Sequence, residues 1–186
     1  MKVPPREAVY ALLTEFTQNP SLVKHALAVE AAMRLYAERL GGDPDAWGAV
    51  GLIHDFDYER YPSLDDHPFK GAEILRARGY DEELIQTVLS HANHAGVARD
   101  TPIRKALFAV DELCGLVTAV ALVRPSKSLA EVETKSVKKK LKDKAFARNV
   151  DRDDIRRGAE LLGLELDAHI GNVVAAMKRI SAELEL

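Results

Sequence analysis

Residues 43–55 read DPDAWGAVGLIHD. Asp43 suits a helix cap, and Pro44 suits the first helical position, where a missing N–H leaves no hydrogen bond unmade. The predicted helix runs on through AVGLIHD to about Asp55. Similar punctuation recurs on both sides. Upstream, Arg6–Thr17 is amphipathic and stops at Asn19-Pro20, after which Ser21 is expected to cap a long helix ending at Gly41-Gly42. Downstream, FDYERYPSLDD (56–66) lacks periodicity and reads as a loop. His67-Pro68 opens a helix ending before Gly79, and Asp81 begins another with Leu84, Ile85, Val88 and Leu89 on one side. Thr101-Pro102 starts a long apolar helix to about Val123. Ser128 with Glu131 reads as a capping box for the basic helix beyond it, and Asp151 and Asp167 as caps of the last two. No segment alternates as a strand does. The expectation is a single all-α domain of eight or nine helices.

A chain of 186 residues is long enough to bury a core of its own. A net charge of −3 gives nucleic acid or an anionic membrane no general footing. The single cysteine, Cys114, excludes an internal disulfide and any zinc site of several thiolates. The N-terminus MKVPPREAVY lacks the apolar stretch of a signal peptide, and no apolar run approaches the roughly 20 residues of a membrane span. A cytoplasmic location is expected.

Five of the six histidines fall between His25 and His94. His25 shares a helical face with Ala28, Val29 and Ala32, which by itself describes a core histidine. His54–Asp55 is more telling. Adjacent helical residues point about 100° apart, so both reach one ion only beside a helix end. A carboxylate is unfavourable at the negative end of the helix dipole unless a cation compensates. Asp111 lies inside the apolar sequence IRKALFAVDELCGLVTAVALV, where a buried carboxylate needs a partner. Arg104 and a metal ion are the two alternatives. His67 stands before Pro68. His91 and His94 end the LIQTVLSHANH helix, at a spacing that lets both or only one meet an ion.

The ordered set resembles the HD superfamily of metal-dependent phosphohydrolases in its extended two-metal form: His25, His54–Asp55, His67 in HPFKGAEIL, His91, Asp111. The resemblance covers about residues 21–123 and implies an HD-like helical bundle there, with a basic helical extension over 124–186. It implies one divalent ion on His25, His54, Asp55 and Asp111, and a second on His67 and His91 with Asp55 bridging. Fe, Mn, Zn, Ni, Co and Mg are all compatible. His94 falls outside the pattern. The Ile-Gly-Lys that follows His-Asp in many such relatives is absent, since Phe56-Asp57-Tyr58 stands there. The Gly-Tyr-Pro loop of the cyclic-dinucleotide phosphodiesterases is also absent after His91.

The implied activity is hydrolysis of a small phosphorylated or nucleotide-like substrate by a metal-activated water, with Asp55, Asp57 and His94 as catalytic candidates and Asp57 or His94 as proton shuttle. The same ligands would equally serve a di-iron oxygenase, and a non-catalytic HD sensor or binding module is a third class. Between residues 124 and 148, nine basic residues stand against three acidic ones, a net of about +6. Lys138, Lys139 and Lys142 are therefore candidates to draw in a small anionic substrate, with a solvated helix face as the plainer alternative. Membrane is not an expected partner, and nucleic acid is disfavoured by the lack of interleaved aromatics.

Overall fold

In the computed structural model, which describes residues 1–186, ten α-helices follow one another without a strand. They are α1 (Arg6–Phe16), α2 (Pro20–Leu40), α3 (Pro44–Ile53), α4 (Phe69–Ala77), α5 (Glu82–Leu89), α6 (Pro102–Leu122), α7 (Thr134–Lys142), α8 (Arg152–Leu161), α9 (Leu166–Arg179) and α10 (Ser181–Leu184). The short α10 and a shared boundary at Ile180 raise the number above the eight or nine expected. No helix is long and apolar enough to cross a membrane.

Most starts follow the capping residues. The side chains of Asp43, Asp81 and Asp151 accept backbone N–H groups of the first turns of α3, α5 and α8. Three assignments are corrected. Asn19, rather than Ser21, caps α2, because Pro20 takes the first helical position and Asn19 accepts the Ser21 N–H. Ser128 caps only a one-turn 3-10 segment, Leu129–Glu131, so the basic helix α7 starts later, at Thr134. Asp167 lies inside the first turn of α9, and Glu165 is the residue at its cap.

Helix α2 is the axis of the bundle, with α3, α6 and α9 packed around it. Gly51 lets α3 lie directly on α2. A Cβ there would stand 3.0 Å from Met33 Cγ and from the Val29 carbonyl. The loop after α3 is pinned at its first residue: Phe56 is fully buried, its ring meets Phe16 edge-on, and its carbonyl accepts the Thr17 hydroxyl at 2.9 Å. Glu59 then accepts the N–H groups of Gln18 and Asn19. An aperiodic segment is thereby fixed beside the α3 terminus.

The C-terminal helices join the same core, which includes residues from Val9 to Leu184. A buried polar chain ties them in. Asn172 on α9 donates to the Tyr36 hydroxyl of α2, Tyr36 donates to Nδ1 of His169 at 2.6 Å, and His169 Nε2–H donates to the Ala109 carbonyl of α6 at 2.9 Å. Burial lowers the His169 pKa to about 4, only partly opposed by the Ala109 contact, so the ring stays neutral and this tautomer is held.

Candidate metal centre

Five helices deliver six donor side chains to one place. His25 sits in the second turn of α2, His54 at the C-cap of α3 with Asp55 beside it, and His67 just before α4. His91 follows the end of α5, and Asp111 lies in the middle of α6. The helix carrying LIQTVLSHANH ends earlier than expected, at Leu89. His91 and His94 therefore lie on different local structures, His94 in the 3-10 turn Asn93–Ala95.

Asp55 spans two groups of histidines. Its Oδ1 lies 3.1 Å from Nε2 of His91 and 3.3 Å from Nε2 of His67, while its Oδ2 lies 3.7 Å from Nε2 of His54. Asp111 completes the second group, with Oδ1 3.0 Å from Nε2 of His25 and 3.4 Å from Nε2 of His54. Its partners are thus histidines. Arg104 instead pairs with Glu83 and Asp100.

The imidazoles are set for ligation by what holds their other nitrogens. Nδ1–H of His54 donates to the Gly51 carbonyl at 2.8 Å, and Nδ1–H of His91 to the Val88 carbonyl at 2.6 Å. His67 Nδ1–H donates to Asp57 Oδ1 at 2.9 Å. A neutral ring so held presents its Nε2 lone pair to the cluster. His54 Nε2 is buried and makes no hydrogen bond, its approach to Asp111 being an electrostatic contact only. Nε2 of His67 and Nε2 of His91 face each other at 3.2 Å. Lone pairs at that separation repel unless a proton or metal cation lies between the rings and the carboxylate.

The electrostatics point the same way. Burial alone would lower the His54 pKa, but the charges of Asp55 and Asp111 outweigh it and raise it to about 9. His67 rises to about 10, because Asp55 and Asp57 overcome its burial. Asp55 and Asp111 are both held well below the usual carboxylate range, the charge of His54 overcoming the opposing effect of burial. These are groups placed to favour cations. Imidazole and carboxylate donors fit zinc, iron, manganese and related divalent ions, and two triads, His25–His54–Asp55 and Asp55–His67–His91, have donor atoms close enough together to share an ion.

The other residues singled out from the sequence lie elsewhere. Asp57 is 1% exposed, with Oδ1 on His67 and Oδ2 accepting the Gly71 N–H at 2.8 Å. A proton shuttle needs a path to substrate, so the shuttle expected of Asp57 is replaced by an orienting contact to His67. Gly71 permits it, since a Cβ at that position would come within 2.8 Å of the Asp57 carboxylate. His94 lines the cavity and donates from Nε2 to the His67 carbonyl at 2.8 Å. Lys138, Lys139 and Lys142 do not line it, although α7 packs on α6 as well as on α9. Lys138 is paired with Asp167, and Lys142 borders a separate basic cleft with Lys144, Arg148 and Arg156.

The cavity over the centre holds about 430 Å³. Its wall includes Tyr58, Asn93, Phe108, Glu112 and Asp154, none anticipated from the sequence. Glu112 carried the one usable signal, a second acid beside Asp111 in an apolar helix. Burial, with the neighbouring Asp111 charge, raises its pKa to about 7. Asp154 carried none, since its place depends on how α8 crosses α6.

A family model described as HD domain matches residues 22–116, just over half of the chain. No curated protein and no solved structure matches it.

Proposed function

The chain belongs to the HD-domain family, and on that footing we propose that it is a metal-dependent phosphohydrolase acting on a small phosphate ester. The observation that carries this reading is the double engagement of Asp55, one oxygen toward His67 and His91 and the other toward His54. His25, His54, Asp55 and Asp111 would hold one divalent ion, and Asp55, His67 and His91 a second. Such ions, when bound, supply a water acidic enough to attack phosphorus near neutral pH and positive charge for the phosphoryl oxygens.

The chain's own residues set the stage for that chemistry. The Gly51 and Val88 carbonyls and the Asp57 carboxylate keep the three Nδ1 atoms protonated, so the Nε2 atoms remain aimed at the cluster. Asp57 cannot swing away, being held by the Gly71 N–H. His94 commits its Nε2–H to a backbone carbonyl and keeps Nδ1 uncommitted. It is the candidate to carry the proton that the leaving oxygen needs.

The test is metal-dependent turnover of a panel of phosphate monoesters and diesters, with oxygen uptake recorded in parallel. Release of phosphate or of a phosphomonoester, dependent on added divalent metal and abolished in Asp55→Ala, is expected. Oxygen consumption by iron-loaded protein with no ester cleaved would overturn the reading.

A further inference from the structure

Beyond the ligand set, the charged wall of the cavity is all of one sign. Glu112 and Asp154 line it, and no lysine or arginine does. Glu112 commits Oε2 to the Asp151 N–H at 3.1 Å, and Asp154 commits Oδ2 to Nδ2 of Asn93 at 2.7 Å. Each keeps its other oxygen unbonded, and neither forms an ion pair. The neighbouring arginine, Arg99, is tied to the Ser90 and His91 carbonyls and to Asn93, with its guanidinium stacked 3.7 Å from the Phe108 ring centre.

The charges inside can be weighed against one another. Two divalent ions would be balanced by Asp55, Asp111 and the roughly two negative charges of a phosphate monoester. That leaves Glu112 and Asp154 without an ion-pair partner in a partly desolvated wall, Asp154 feeling only the more distant charges of Arg99 and Arg157, and a carboxylate so placed is unfavourable. A second phosphate group would meet these acids and no cation. A positively charged group on the substrate would meet two acceptors.

We propose that Glu112 and Asp154 are specificity residues that bind a protonated amine on the non-phosphate part of the substrate, which is a small aminoalkyl phosphate monoester. Nucleoside di- and triphosphates are disfavoured by the same wall. The inference rests on the phosphohydrolase reading for the phosphate end alone. A volume of about 430 Å³ suits a small molecule.

The experiment compares 3-aminopropylphosphonate with n-butylphosphonate, which differ by a terminal ammonium against a methyl and carry no ester to hydrolyse. Calorimetric titration into metal-loaded protein is expected to give about tenfold tighter binding of the amine, the size of one charged hydrogen bond. The ratio should fall toward one in Asp154→Asn and in Glu112→Gln. Metal content is measured in each, and Asp154→Asn is the cleaner variant because Glu112 adjoins Asp111. Equal binding of the two phosphonates, no binding of either, or a ratio that survives both substitutions overturns the proposal. An amine preference in a protein that cleaves no phosphate ester would leave this assignment standing and remove the hydrolase reading. Ester cleavage without the preference would do the reverse.

Discussion

Asp57 and His67 form a buried pair, Oδ1 of the one 2.9 Å from Nδ1 of the other, with the carboxylate locked from behind by the Gly71 N–H. A carboxylate so placed fixes both the tautomer and the angle of the ring it holds. Removing it in Asp57→Ala should weaken metal binding at the His67–His91 group by about 10- to 100-fold. Asp57→Asn keeps an oxygen for the Nδ1–H but turns its NH2 against the Gly71 N–H, so it should weaken metal binding too, by less than Asp57→Ala. Metal titrations of the two variants check this, and equal affinities in Asp57→Ala and the unaltered protein would remove the orienting role.

Metal stoichiometry separates the bridging ligand from the others. Asp55 faces both histidine groups, so Asp55→Ala should depress occupancy at both. His67→Ala should lose one ion and His25→Ala the other. Elemental analysis after equilibration with manganese or zinc reads the ratios directly. A single ion at saturation, unaffected by His67→Ala, would leave only the His25–His54–Asp111 group as a site.

His169 gives the fold a dependence on acid. Its pKa is lowered to about 4 in the folded chain, against about 6.5 when unfolded. Between those values the unfolded state binds a proton that the native state does not, so stability rises with pH across the window. The contribution is fully present above pH 6.5 and is lost as the pH falls through 4, amounting to roughly 3 kcal/mol. Denaturant unfolding of metal-free protein at a series of pH values should show a shallower slope in His169→Gln than in the parent. The absolute stability of the variant also falls through lost packing, so the slope is the quantity to compare.

The lysines of α7 should be dispensable for turnover. None of Lys138, Lys139 and Lys142 lines the cavity, and the field of a charge acting through solvent falls off over a Debye length of about 10 Å at 0.1 M. Lys139→Glu is expected to change kcat/KM little at ordinary salt. A large fall that disappears as salt is added would restore the role in drawing in substrate.

The helical class and the ligand order were readable because both are local. A cap, a proline and an apolar run announce α3, and the His-Asp pair stands where that run ends. His25 shows where local reading stops. Ala28, Val29 and Ala32 are indeed buried core, so its helical face is that of a structural histidine. Only the crossing of α2 by α6 brings Asp111 to within 3.0 Å of it. Asp57 misled for a related reason, since a carboxylate two residues after the pair has the right chemistry for a shuttle and the wrong burial. Glu112 and Asp154 are brought to one cavity by the packing of α8 on α6, and Asn93 with its loop closes on Asp154. No spacing within either helix encodes that placement. The start of α2 shifted because Asn19 and Ser21 are both capping residues two positions apart, whereas α7 and α9 follow Glu133 and Glu165 with no side-chain cap to mark the place.

Ala109, whose carbonyl receives the His169 N–H, stands two positions before Asp111 on α6. The last helices thus grip α6 almost at the point where it offers its carboxylate to His25 and His54. That grip works as a gauge block, fixing the rotation of α6 and with it the spacing between the two acids of the centre. A change in α9, tens of residues from any donor atom in sequence, can widen or narrow that spacing without altering a single ligand.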